Sequence, residues 1–560
     1  MLQCGIGSAF PFAPTLVIAS YMQSNHKHPH VKRGTGLWLR FAVHMDAFCA
    51  DPRAYLTAFW WRLRGKRLRS RSQFTRLLTG SRYAYDLWML WHEETSPRCN
   101  QGPGPRILAL VDVRDAEQGA ARETLVNLST EGFPALLIGT DHGQTLADAV
   151  NRIDWNETSW LMPIKAGDTL ASAAAQTYKA AIAGADVQIA YADDDLTTRP
   201  GRRTAPHFKP DWNSEMFRYF DYLTGACILQ VNREELQALS EMSDWAEQLI
   251  ALKVRKSAPL HVKKVLHHRR VRPSPQVPTV INVMEEALPS VTIIVPTRNR
   301  VDLLRKCLNG IASTKYRDID VIVVDNDSTD PETISFLKNL DPAFYRVLPY
   351  QGAFNYSAIN NRAVEVAQGQ LLCLLNNDIE IIEPYWLATM AVQAVRSEVG
   401  AVGARLLYPD GRIQHAGVVI GMGNAAGHAH RLTADGDEGY FKRHLLPQFT
   451  SAVTAACLVV SRERFIAVGG LDERNFAVAF NDVDLCMRLN QRGWQSLYEP
   501  RATLIHHESL SRGFDRDPIG AERFAGELAA LKQIWSTEYA VDPYHHPELS
   551  RASEHFVARL

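Results

Sequence analysis

With 560 residues, close to half of them apolar and under a quarter charged, the chain can bury several cores, and ordinary domain sizes give it two to four domains. Its 61 Lys and Arg balance 61 Asp and Glu, so no overall field draws it to nucleic acid, and any electrostatic targeting must come from local clusters. The 8 cysteines include no Cys-x-x-Cys pair, which argues against a disulfide framework or a zinc knuckle and fits a reducing cytoplasm.

The apolar stretch from Phe10 to Ser20 carries two prolines and falls well short of the roughly 20 residues of a spanning helix. No basic residue precedes it, as a secretory signal would require, so an unexported protein is expected. His26, His28 and His30 read as a polar loop rather than a metal site. From Trp60 to Arg82 there are eight Arg or Lys and no acid, interleaved with Leu63, Leu68, Phe74, Leu77 and Leu78. This composition suits either an anionic lipid surface, at about 1 kcal/mol per basic residue, or a solvated basic helix. Short apolar runs then alternate with helical segments: Ile107 to Asp112, Leu137 to Gly139, Ser159 to Ile164, a helix over Leu170 to Ala183, and Val187 to Tyr191. Such alternation predicts a parallel sheet covered on both faces. Around Arg269 to Pro289, rich in Pro and Val, no pattern holds, which marks a linker.

Beyond it the pattern sharpens: Val291 to Asn299, a helix over Val301 to Ser313, Ile319 to Asp330, a helix over Tyr356 to Gln368, and Leu371 to Glu380. Three apolar runs end in polar or acidic residues, and in an open α/β sheet such tips converge on one ligand crevice. Asp325 and Asp327 at the second tip can accept hydrogen bonds from a nucleobase and a ribose, or serve as turn and cap residues. At the third tip, Asn376, Asn377 and Asp378 offer a carboxylate that can hold Mg²⁺ or Mn²⁺ against phosphate oxygens, the bland alternative being a polar turn. Asn481, Asp482 and Asp484 open an amphipathic segment; Asp482 is either a general base toward an acceptor hydroxyl or an acid stabilised by the helix dipole. His506 and His507 follow a short strand-like run, where an imidazole can complete an oxygen-rich cation site.

Taken together, VPTRN, VDNDSTD, LLNND, GGLDERNF, FNDVDLCMRL and IHHESLSRG resemble, in order and spacing, glycosyltransferase family 2, and within it the bacterial enzymes that build rhamnan, O-antigen and other surface polysaccharides. The resemblance covers residues 289 to 515. It implies a GT-A fold, a nucleoside-diphosphate-sugar donor, a saccharide or lipid-linked acceptor, a divalent cation and inversion by single displacement. Carried over, it makes Pro296, Thr297 and Asn299 the first-strand nucleotide turn, Asp325 and Asp327 the base and ribose contacts, and Asp482 the catalytic base. Asn376 stands where the family's Asp-x-Asp begins, so metal binding falls to Asp378 and His506. The N-terminal half resembles the same family in worn form, through Tyr191 to Trp212 and His261 to Arg270. There Asp168 lacks its acidic partner, with Lys165 nearby, and Asp244 and Glu247 stand at poor spacing for the base motif. A repeat stripped of these groups is expected to be an inactive scaffold, an acceptor-holding module or a dimer surface.

The expected architecture is therefore α/β: two tandem GT-A-like domains, mainly parallel and Rossmann-like, the first degenerate and preceded by a short helical basic segment. The expected boundaries are 1–100 for the N-terminal region, 101–272 for the degenerate domain, 273–289 for the linker, 290–540 for the catalytic domain and 541–560 for the tail. Residues 421–448 are expected to form a mobile acceptor-side loop. The expected setting is cytoplasmic, with peripheral contact on the inner face of the cell membrane and no nucleic-acid partner. Two rival readings stand: a sugar nucleotidyltransferase, which lacks its glycine- and arginine-rich phosphate loop here, and a binding protein that holds nucleotide or glycan without turnover.

Overall fold

The computed structural model describes residues 31–93, 104–114, 116–139, 144–198, 201–279, 288–507 and 518–560. The early apolar stretch, the three histidines at 26, 28 and 30, and the motif residues Glu508, Ser509 and Ser511 lie outside them, as does part of the linker. Among the described residues no helix is long and apolar enough to cross a membrane.

The chain forms two compact units that are not contiguous in sequence. One gathers Leu39–Val280, Val419–Phe449 and Thr537–Leu560; the other comprises Ile281–Val418 and Thr450–Ser536 together with residues 31–38. The division differs from the sequence boundaries because two later segments contribute to the first core. Leu446 joins the cluster around Leu110, Tyr191 and Leu229, while Val419, Met422, Leu549 and Phe556 pack with Trp88 and Phe208. Residues 421–448, expected as a mobile loop, are thus held by core contacts; their Gly- and charge-rich composition hid apolar anchors such as Phe441, which stacks on His207 at 3.9 Å between ring centroids.

Four helices come first: α1 (Val31–Ala50), in the first unit from Leu39 on, then α2 (Pro52–Leu63), α3 (Arg67–Thr79) and α4 (Ala84–His92). Asp51 caps α2 by accepting the Ala54 N–H at 2.9 Å, and Pro52 at the first helical position needs no such partner. The strands follow as β1 (Arg106–Asp112), β2 (Ala135–Ile138), β3 (Thr158–Lys165), β4 (Thr169–Leu170), β5 (Ile189–Thr198), β6 (Arg202–His207), β7 (Cys227–Gln230) and β8 (Leu260–Arg269), in the order β2-β1-β3-β7-β5-β8-β4 with β6 beside β5. The period of two along β1 builds two cores: Ile107, Ala109 and Val111 face one, Leu108 and Leu110 the other.

The second unit contains β9 (Val291–Thr297), β10 (Ile319–Asp325), β11 (Tyr345–Pro349), β12 (Leu371–Leu375), β13 (Ile379–Ile381), β14 (Val399–Leu407) and β15 (Ile413–His415). The chain then passes through the short β16 (Val418–Ile420), β17 (Ala426–His428) and β18 (Gln448–Thr450), of which residues 419–449 belong to the first unit, and returns to the second in β19 (Cys457–Ser461) and β20 (Gln495–His506). The sheet order is β11-β10-β9-β12-β19-β14-β20-β13. Every residue of β9 and β12 is buried, as continuous apolar runs in a sheet covered on both faces should be.

The two sheets share one plan. β1, β2, β3, β7, β5, β8 and β4 match β9, β10, β12, β19, β14, β20 and β13 in order and in parallel or antiparallel sense. The expected tandem α/β architecture, with a helical basic segment before it, is present.

Candidate active site

Parallel pairing of β10, β9 and β12 brings the three polar tips to one edge of the second unit's sheet. Pro296 and Thr297 end β9, and Thr297 O accepts the Asn326 N–H at 2.8 Å. Asn299 is left-handed at φ 56°, and its Oδ1 accepts the N–H groups of Thr329 and Asp330 at 2.8 and 2.9 Å. Its side chain therefore ties the first tip to the second. Asp325 is half-buried, with Oδ1 accepting the Ser328 N–H at 3.1 Å, whereas Asp327 is exposed at φ 59°. The two acids thus stand ready at different depths.

At the third tip the polar run after β12 turns into β13, and the pairing of Ile379 with His506 sets Asp378 beside the end of β20. His506 Nε2 lies 3.1 Å from Asp378 Oδ1, with both side chains nearly buried. His506 Nδ1 lies 2.9 Å from Gln414 Oε1; an amide oxygen only accepts, so Nδ1 donates to it and Nε2 is turned toward Asp378. Asn376 Nδ2 lies 3.4 Å from Nε2, and Asn377 Nδ2 donates to Thr297 Oγ1 at 3.1 Å. A carboxylate oxygen and an imidazole nitrogen at this distance could both reach one divalent cation in place of a shared proton, and the hydrogen-bonded second ring nitrogen is the usual support of a ligating histidine. Asp378 and His506 are the residues that would hold it, with Asn376 beside them.

Asp482 lies in the first turn of the helix Asn481–Gln491. Its Oδ2 accepts the Ala455 N–H at 3.0 Å and its Oδ1 the Val483 N–H at 2.8 Å. Burial raises its pKa, only partly opposed by those N–H groups, which is the direction that suits a proton acceptor. Phe480, just before this helix, sits at φ 62°, a strained setting for an aromatic residue that fixes where the helix begins. Asp484 does other work: it pairs with Arg488 at 2.7 Å and accepts the Trp535 indole N–H at 3.0 Å. Gln414 and Ala455 are the site residues that sequence reasoning missed. Gln414 is 92 residues from the histidine it orients, and the partner of Asp482 is a backbone amide.

The equivalent positions in the first unit are filled differently. The first residue of β4 pairs with His268 as the first residue of β13 pairs with His506, so Asp168 takes the place of Asp378 and His268 that of His506. Asp168 Oδ1 accepts the Arg270 N–H at 2.8 Å, Arg269 Nε stands 4.0 Å from Oδ2, and burial pushes the carboxyl up to about 6. His268 Nδ1 turns instead to Asp195 at 2.8 Å. Beside them Asp194 meets Lys209 at 2.8 Å, Arg272 at 2.6 Å and Arg269 at 3.8 Å. Although burial alone would raise the Asp194 carboxyl, these cations hold it well below the usual carboxylate range. Gly225, at φ 78°, gives Arg269 its room, since a Cβ there would fall 2.6 Å from the guanidinium. The helix Trp245–Lys253 stands before β8 as the helix Asn481–Gln491 stands before β20; it begins after Asp244 and carries Glu247 in its first turn, where the other carries Asp482 and Asp484.

Elsewhere in the first unit, Asp193, His261 and His546 bring three ligand-type atoms within 4.8 Å of one another and could hold a metal ion. Hydrogen bonding offers another account. His261 spans Asp193 at 3.1 Å and Asp211 at 2.9 Å; burial opposes its charge, but the two carboxylates outweigh burial and raise its pKa. His546 Nδ1 accepts the Glu548 N–H at 3.0 Å, which puts its proton on Nε2, facing Asp193 Oδ2 at 3.0 Å. This group is distinct from the Asp378 and His506 pair expected from the sequence.

The mixed α/β sheet, with acids and a histidine at its strand tips, has the GT-A-like form expected from the sequence. Residues 292–431 match the model of Glycosyl transferase family 2; Asp482 and His506 lie beyond the matched residues. The chain is 37% identical over 66% of its length to the uncharacterized protein y4gI of Sinorhizobium fredii, and 33% identical over 78% to the O-antigen biosynthesis protein RfbC of Myxococcus xanthus. It spans 46% and 36% of those proteins' own lengths. The N-acetylglucosaminyl-diphospho-decaprenol L-rhamnosyltransferase of Mycobacterium tuberculosis is 26% identical over 42% of this chain and 80% of its own. The chain is thus similar, through this segment and beyond it, to proteins named for O-antigen biosynthesis and for rhamnosyl transfer.

Proposed function

We infer that the second unit moves a sugar from a nucleoside diphosphate to a hydroxyl of a saccharide or lipid-linked saccharide, with inversion, in bacterial surface polysaccharide assembly. The observation that carries this reading is the pairing of Asp378 with a His506 whose Nδ1 is committed to Gln414, a donor set suited to Mg²⁺ or Mn²⁺. Bound there, the cation would offset charge gathering on the departing diphosphate. Asp325, Asp327 and Asn376 bind the nucleotide, and Pro296, Thr297 and Asn299 form the turn that seats it. Asp482 takes the proton of the acceptor hydroxyl as that oxygen bonds to the anomeric carbon and the carbon–phosphate oxygen bond breaks toward the opposite face. The first unit, whose Asp168 is buried beside Arg269 and whose His268 turns to Asp195, is an inactive partner domain. A hexose or deoxyhexose such as rhamnose is the expected cargo, and the inner face of the membrane, where lipid-linked acceptors are built, is the expected place of work.

Incubation with a panel of UDP-, dTDP- and GDP-sugars and Mn²⁺ or Mg²⁺, following nucleoside diphosphate release, tests this. One donor consumed, with metal dependence lost in Asp378→Ala, is the expected result. Tight nucleotide binding without turnover of any donor would turn the reading to a binding protein.

A further inference from the structure

Helix α2 carries two apolar stripes. Ala54, Ala58 and Trp61 with Tyr55 form the inward one, where the Tyr55 ring meets Phe74 and Phe48 edge to face at 5.2 and 5.6 Å. Leu56, Phe59, Trp60 and Leu63, at i, i+3, i+4 and i+7, form the other, and they are 57, 49, 52 and 67% exposed. That spacing is the signature of a face meant to be covered, yet it lies open. On neighbouring α1, Phe41 and Met45 are open as well.

Charge says what covers it. From Pro52 to Thr79 there are eight Arg or Lys and no acid, and all eight are exposed. Among the described residues none of the eight forms an ion pair with a carboxylate. Arg62, Arg64, Lys66 and Arg67 flank the C-terminal end of the apolar stripe, and Arg64 lies over the Trp60 ring at 4.5 Å. Apolar and aromatic side chains bordered by solvated arginines match the boundary of an anionic bilayer, where rings settle at headgroup depth and guanidinium groups meet lipid phosphates. A protein partner with an acidic rim would ask for a cation at the rim only. Here the run continues through Arg69 and Arg71 into α3, as a broad planar surface favours.

We propose that the α2–α3 hairpin docks on an anionic lipid surface, with Leu56, Phe59, Trp60 and Leu63 entering the interface and the flanking arginines and Lys66 binding headgroup phosphates. The docking draws its purpose from the lipid-linked acceptor of the proposed function, but it is measured without turnover. Full-length protein is sedimented with vesicles of neutral phosphatidylcholine, or of the same lipid with one third phosphatidylglycerol. Binding to the anionic vesicles, at least tenfold stronger than to the neutral ones, is expected. Phe59→Ser with Trp60→Ser should weaken it at least tenfold at any salt. Arg62→Gln, Arg64→Gln, Lys66→Gln and Arg67→Gln together should weaken it at low salt and leave little further salt dependence. Because all six side chains are exposed, circular dichroism and soluble donor hydrolysis should match the parent, which separates loss of docking from loss of the active site. Protein that stays in solution with anionic vesicles, or both variants binding like the parent, overturns the proposal. Concentration-dependent dimerisation abolished by Phe59→Ser with Trp60→Ser, without lipid binding, would assign the face to a second copy instead.

Discussion

Two sheets of one design have diverged at the same three positions. In the second unit a carboxylate, Asp378, faces a histidine that an amide holds in place; in the first, Asp168 accepts the backbone N–H of Arg270 and lies 4.0 Å from the Arg269 guanidinium. The second unit's last helix before β20 carries Asp482 and Asp484 in its first turn, whereas its counterpart before β8 carries Glu247. A second contrast lies deeper in the first unit, where Asp194 is matched by Lys209, Arg269 and Arg272 of its own chain. These cations keep the buried Asp194 ionised, so that unit uses its acids in internal pairing.

The comparison is broken most directly at its third position. Asp482→Asn should lower kcat by about 10²- to 10⁴-fold, the range of general-base catalysis, with nucleotide affinity by calorimetry unchanged. Asp378→Ala should cost about 100-fold or more and abolish the metal dependence of nucleotide binding. Because burial raises the Asp482 pKa and the base acts only as a carboxylate, kcat/KM should fall as pH drops through a limb above the ordinary aspartate range. A flat profile from pH 5 to 8 that is identical in Asp482→Asn would remove Asp482 from the mechanism.

In the first unit the larger effect is on stability. Lys209 is fully buried, 2.8 Å from Asp194, and donates to the Ala192 carbonyl at 2.6 Å. Lys209→Met leaves Asp194 with one cation fewer in a dry site and should destabilise this unit by about 3–5 kcal/mol in denaturant titration. With its carboxyl held low, the contribution of Asp194 is present above its unfolded pKa and is lost only as pH falls through the lower folded value. Parent-like stability in Lys209→Met would mean that Arg269 and Arg272 suffice.

How much of this was legible in the sequence follows from the range of each interaction. β9, β10 and β12 were readable because each is a continuous apolar run ending in polar residues, and the sheet then aligns their tips without further instruction. The run Asp193–Asp195 was not readable as buried strand, because three acids in a row look like a loop until Lys209, His261, His268 and Arg272 arrive from elsewhere. Residues 421–448 read as a loop for a similar reason: sparse anchors such as Phe441 and Leu446 are set among glycines and charges. Gln414 is the sharpest omission, since the histidine it contacts, His506, lies 92 residues further along the chain. Gln414→Ala should weaken metal affinity by about 10- to 100-fold with little change in fold, and metal titrations of nucleotide binding would read it.

The smallest expected effect is also the most discriminating between the two units. Asp168 is buried and raised to about 6, above its unfolded value, so its ionisation opposes folding: between about pH 4 and 6 the folded state holds the extra proton, and stability falls as pH rises across that window. Asn keeps an oxygen for the Arg270 N–H and carries no charge. Asp168→Asn should therefore leave stability at pH 7.5 unchanged or up to ~1 kcal/mol higher, with the gain vanishing below about pH 4, and should leave turnover untouched. The same exchange at Asp378 should abolish metal-dependent turnover. If Asp168→Asn instead slowed catalysis as Asp378→Asn does, the first unit would be working chemistry rather than scaffold, and its arginines would have to be read as diphosphate ligands in place of a metal.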